Sequence, residues 1–100
     1  MSHSLPHELL DQLVQLVTQL RADSADFLLQ QEDAQLWYNR GYANGVVRGL
    51  AALLNEDRPA GLEPDDENEL AGQALMPWGK AYRHGESMGE QETYEIAGRV

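Results

Sequence analysis

Three glycines spaced four apart, Gly41, Gly45 and Gly49, lie in the uninterrupted stretch LWYNRGYANGVVRGLAALL, Leu36–Leu54. This spacing constrains the fold more than any other feature. The stretch has no proline and ends in LAALL, so a helix is expected. Each interior glycine costs a helix about 0.8–1 kcal/mol against alanine, so a helix that keeps three must use their lack of side chain. At 100° per residue two faces emerge. Leu36, Ala43, Val46, Val47, Leu50, Leu53 and Leu54 make a broad apolar face. Ala34, Gly41, Gly45, Gly49 and Ala52 make the other, with Tyr38 at its edge. A helix with contacts on both faces is a central element.

The remaining chain supplies helices to pack on it. Ser4 and Pro6 are placed to start a first helix, with Glu8 at its positive dipole end. Leu10, Leu13, Val17 and Leu20 give it an apolar stripe opposite Asp11, Gln12, Gln15 and Gln19. Ser24 is read as a second N-cap, opening a helix that is bent or interrupted near 30–34, with Asp33 capping the run to about 55. The stretch 55–65, with Pro59, Gly61 and Pro64, is a linker inside a single helical domain spanning 1–100. Asp65 or Asp66 caps the next helix. From Leu70, one face gathers Leu70, Ala71, Ala74, Trp78, Ala81, Gly85, Met88, Gly89 and Ile96, in phase across Pro77. That predicts one kinked helix or two nearly in line, and Gly98 suits a stop.

A short echo links the two long helices. Tyr38-x-x-Gly41-x-x-x-Gly45 recurs 44 residues later as Tyr82-x-x-Gly85-x-x-x-Gly89. Three matched positions do not establish a duplication, but small residues four apart let helix backbones approach closely. The two glycine faces are expected to cross, within one chain or across a dimer. The expected fold is all-α: a small bundle of three to four helices about the two-faced central one, paired as a homodimer because a 100-residue chain has many faces to cover.

Charge and composition narrow the function. The net charge is −10, with −3 in residues 1–55 and −7 in 56–100. Such a chain repels phosphate backbones, which argues against direct nucleic-acid binding but leaves mimicry of nucleic acid as an alternative. There is no cysteine, hence no disulfide or thiolate chemistry. The start lacks a signal-peptide pattern and the apolar runs are too short for a membrane span, so a cytoplasmic protein is expected. No phosphate-binding loop, nucleophile elbow or His-Glu-x-x-His motif occurs. DDENE lacks the EF-hand loop spacing, His3 and His7 have no further ligands nearby, and His84 has no partnered nucleophile. No catalytic residue, metal or cofactor is therefore assigned.

Aromatic residues and arginines anchor protein interfaces, while in a small chain the same rings also pack helix crossings. The candidates for a partner or dimer interface are Trp37, Tyr38, Gly41, Tyr42, Gly45, Arg48, Trp78, Tyr82, Gly85 and Met88. At LWYNRGYANGVVRGLAALL and MPWGKAYRHGESMGEQETYEIAGRV the sequence resembles the small LasR-specific quorum-sensing antiactivators of pseudomonads. The resemblance implies a small helical dimer that binds the ligand-binding domain of a transcriptional activator, prevents its dimerisation and blocks its DNA binding. It transfers no individual functional residue.

Overall fold

A computed structural model describes residues 5–54 and 61–98. These fold as α1 (His7–Asp23), a 3-10 turn (Phe27–Leu29), α2 (Ala34–Leu54), α3 (Glu67–Ala71) and α4 (Pro77–Gly98), with no strand among the described residues. The all-α expectation is met. The proposed cap Ser4 and linker residues 55–60 lie outside the described residues.

Local signals explain most element ends. Asp33 accepts the Leu36 N–H at 3.0 Å and starts α2. Asp66, not Asp65, caps α3 by accepting the Asn68 N–H at 2.8 Å. Pro77 opens α4, where its missing N–H would have had no helical partner. Ser24 behaves otherwise than expected. It closes α1, and its buried Oγ donates to the Leu20 carbonyl at 2.6 Å. A hydroxyl one turn after an exposed carbonyl caps a C-terminus as readily as an N-terminus, so no helix begins at 24.

The reading of one apolar face running through Pro77 fails as well. Residues 72–76 form a turn between α3 and α4, and Ala71 and Ala74 are exposed. The buried face of α4 is Gly79, Tyr82, Gly85, Gly89, Thr93 and Ala97.

The two long helices cross within the chain, through their glycines. A methyl group at Gly41 would overlap the Tyr82 carbonyl, and one at Gly85 the Tyr38 carbonyl. One at Gly45 would overlap the Glu86 carbonyl, and one at Gly89 that of Tyr42. A methyl at Gly49 would lie 2.9 Å from Thr93 Cβ. Contact positions rise together along both helices, so α2 and α4 run parallel. Exchanging positions by the 44-residue offset turns Gly41–Tyr82 into Gly85–Tyr38 and Gly45–Glu86 into Gly89–Tyr42, and returns Gly49–Thr93 to itself. The echo in the sequence is thus a local two-fold in space, the exchange-symmetric pairing that small residues four apart allow two parallel helices.

The opposite face of α2 is covered by α1. Leu13 and Val17 pack on Ala43, Val46, Val47 and Leu50, with Leu62 in the same cluster. Late α1 meets early α2, since Arg21 and Arg40 share Asp65, so this pair is antiparallel. A second cluster of Phe27, Trp37, Leu70 and Tyr82 fills the end where α2 and α4 begin. Both faces of α2 are therefore covered inside one chain, by α1 and α4.

Candidate functional site

Two furrows flank the α2–α4 crossing, and the two-fold relates them. One is lined by Arg40, Asn44 and Arg48 of α2 with Tyr82, Glu86 and Glu90 of α4. Exchanging positions by 44 gives the other: His84, Met88 and Glu92 of α4 with Tyr38, Tyr42 and Val46 of α2. The chain treats them differently.

The first furrow holds the segment that carries the chain from α2 to α4. Parallel helices need such a return run, and this one is fixed by Asp65. Arg40 donates to both Asp65 oxygens, at 3.0 and 2.8 Å. Tyr82 Oη donates to Asp65 Oδ2 at 2.7 Å, and Arg21 lies 3.6 Å away. The Asp65 N–H donates to Asn44 Oδ1 at 2.8 Å, while Asn44 Nδ2 donates to Glu86 at 2.6 Å. Arg21 also donates to the Glu63 carbonyl at 2.6 Å. Fully buried Asn44 thus ties α2, the return run and α4 together.

Burial pushes the Asp65 carboxyl up, but hydrogen bonds from Arg40 and Tyr82 and the charges of Arg40 and Arg21 outweigh it, holding the group below its ordinary value. Burial, and then the bond to Asp65, push the Tyr82 phenol well above its ordinary value. Further along, Arg83 donates to Glu67 at 2.6 Å and to Glu86 at 3.0 Å, and Arg48 lies 3.7–3.9 Å from Glu67, Glu86 and Glu90. Every one of these charged groups already has a partner of opposite sign.

The second furrow is more open. Tyr38, Tyr42 and Met88 are part-exposed and His84 is exposed. The Tyr38 and Tyr42 rings are 6.5 Å apart, and the His84 ring lies 5.7 Å from Tyr38. Tyr42 Oη donates to Glu92. Burial and that bond push the Tyr42 phenol up to about 12. The outcome is a row of amphipathic side chains on a backbone pair that cannot slide.

The structure divides the ten sequence candidates. Trp37, Gly41, Gly45, Tyr82 and Gly85 are buried, so their surfaces serve the crossing and the second cluster rather than a partner. Trp37 packs edge-on against Phe27 at 4.8 Å and donates Nε1–H to the Gln30 carbonyl at 3.1 Å. Arg48 lines the occupied furrow. Tyr38, Tyr42 and Met88 meet in the open one. Half-buried Trp78 stands apart, donating to Gln73 at 2.8 Å.

Sequence reasoning missed Asp65 as an organiser, together with Asn44 and Arg21. One signal was available: Arg40, Asn44 and Arg48 form a polar stripe, four apart, on a helix whose other faces are apolar or glycine. Among the described residues, no group of three or more His, Asp or Glu side chains is arranged to hold a metal ion. No helix there is long and apolar enough to cross a membrane. Comparison with protein-family models, curated proteins and solved structures found no match.

Proposed function

We propose that this chain is a non-catalytic regulatory protein that binds a transcriptional activator and blocks its dimerisation and DNA binding. The open furrow supports the binding part. Tyr38 and Tyr42 present apolar rings with polar tips, and Met88 an apolar thioether, on a rigid helix pair, the kind of surface on which interface energy concentrates. The partner class rests on the resemblance of the two long-helix segments to quorum-sensing antiactivators.

One observation favours this reading over nucleic-acid mimicry. Asp65, Glu67, Glu86 and Glu90 are taken up by Arg21, Arg40, Arg48 and Arg83, which removes them from any phosphate-like array.

Light scattering on a purified activator of this class, with and without the protein, tests the proposal. Mixed complexes holding one activator subunit are expected, persisting at raised salt because the contact buries apolar area. Tyr38→Ala combined with Tyr42→Ala should weaken them roughly tenfold or more. An activator that stays dimeric inside the complex rules out dimer disruption. Binding lost between about 50 and 200 mM salt supports mimicry instead.

A further inference from the structure

The two furrows share one backbone geometry, so the side chains of the filled one bear on what the open one can hold. In the filled furrow the return run is gripped by a carboxylate. Arg40 and Tyr82 both donate to Asp65 Oδ2, at 3.0 and 2.7 Å. Exchange by 44 carries Arg40 to position 84 and Tyr82 to position 38. There the open furrow has His84 and Tyr38, with ring centroids 5.7 Å apart. An imidazole N–H and a phenol O–H are both donors, like the pair they mirror.

The mirrored pair is accessible. Tyr82 is buried and committed to Asp65, whereas His84 is exposed and Tyr38 part-exposed. Among the described residues, no hydrogen bond takes up Tyr38 Oη or a ring nitrogen of His84. The next place along differs in chemistry. Asn44, which accepts the Asp65 N–H, is mirrored by Met88, which offers an apolar thioether instead. Charge is uneven along the furrow. Lys80 is exposed one turn before His84 on the same stripe of α4, while Glu92, at the other end, is engaged by Tyr42. A negative group therefore meets donors at the His84 end.

We infer that the open furrow takes a segment of a partner protein that sets an Asp or Glu carboxylate between His84 and Tyr38 and an apolar side chain on Met88. The inference rests on the reading of this furrow as a binding surface and adds the chemistry it selects. Apolar contact supplies area, and the carboxylate fixes register.

The probes are two blocked peptides, Ala-Leu-Asp-Leu-Ala and Ala-Leu-Asn-Leu-Ala, titrated into the ¹⁵N-labelled full chain. Amide shifts should concentrate at 38–46 and 84–92. The Asn peptide should bind about tenfold more weakly, having lost charge-assisted hydrogen bonds. His84→Ala, and Tyr38→Phe, which removes only the hydroxyl, should each weaken the Asp peptide. His84→Arg, which reproduces the Arg40 donor, should tighten it. Position 84 is exposed, so its variants should keep the parent melting temperature. Shifts centred on 61–67, no binding of the Asp peptide, or no gain from His84→Arg would overturn the inference. So would acetate alone giving the same shifts at the same concentration, since the ligand would then be a free carboxylate. Equal binding of both peptides within the furrow would remove the carboxylate subsite alone, whereas an activator that fails to bind in light scattering would remove the partner class alone.

Discussion

Asp65 is where single residues matter most. Its side chain is 8% exposed and that of Arg40 18%, so their paired bond is largely out of water and solvent screening reduces it little. Asp65→Asn keeps the shape but leaves Arg40 without its counter-charge, and should cost on the order of 3 kcal/mol in a denaturant titration. A loss near zero would mean the return run is held by its apolar anchors, Leu62 and Leu70, alone. The same residue sets an acid limit. Its folded-state pKa lies below the ordinary 3.8, so its contribution is present above that pH and is lost as pH falls through the folded value. Thermal melts should show this loss in the parent chain and not in Asp65→Asn. Tyr42 and Tyr82 set an alkaline limit with the opposite sign. Their phenols are raised above the ordinary 10, so the stability they confer is complete below pH 10 and fades as pH climbs. For Tyr42 the fading ends near 12. An alkaline absorbance titration should find Tyr82 protonated until the chain unfolds, and early ionisation of all four tyrosines would contradict the buried Tyr82–Asp65 bond.

At the level of elements, the α2–α4 crossing is tested by glycine replacements of opposite sign. Gly45→Leu forces a side chain into the Glu86 backbone, which cannot rotate away. Overpacking of about 1–3 kcal/mol should exceed the helix-propensity gain of about 1 kcal/mol, lowering the melting temperature. Gly72 provides the contrast. It has φ −70° and ψ −10°, with open space where a Cβ would go. Gly72→Ala should therefore stabilise by about 0.4–1 kcal/mol through the unfolded chain. If both replacements shifted stability the same way, close packing at the crossing would not be what separates them.

Over the whole molecule, stability should be uneven. The α2–α4 pair is joined by backbone contact, the Asp65 network and the second apolar cluster, whereas α1 is held to α2 through two buried side chains, Leu13 and Val17. Hydrogen exchange should show α1 opening at lower free energy than residues 41–50 and 82–93. Equal protection along all three helices would indicate a single cooperative unit.

The features legible in the sequence are those that act locally. Asp33, Asp66 and Pro77 act through backbone groups one turn away, so the starts of α2, α3 and α4 could be read or nearly read from spacing. The glycine spacing named the close face of α2, because an unfilled position in a helix is costly whatever lies opposite. Ser24 was misread because a hydroxyl serves either helix end, and the choice depends on which chain covers it. The direction of α4 against α2 was out of reach: the same Tyr-x-x-Gly-x-x-x-Gly surface can pack in either sense, and the return run selects the parallel one. The site divided along that line. Tyr38, Tyr42 and Met88 were visible as side-chain types, but only tertiary structure filled one furrow with Asp65 and left its symmetric counterpart open. A two-fold between helices makes two equivalent grooves, and a single connecting segment can occupy just one of them.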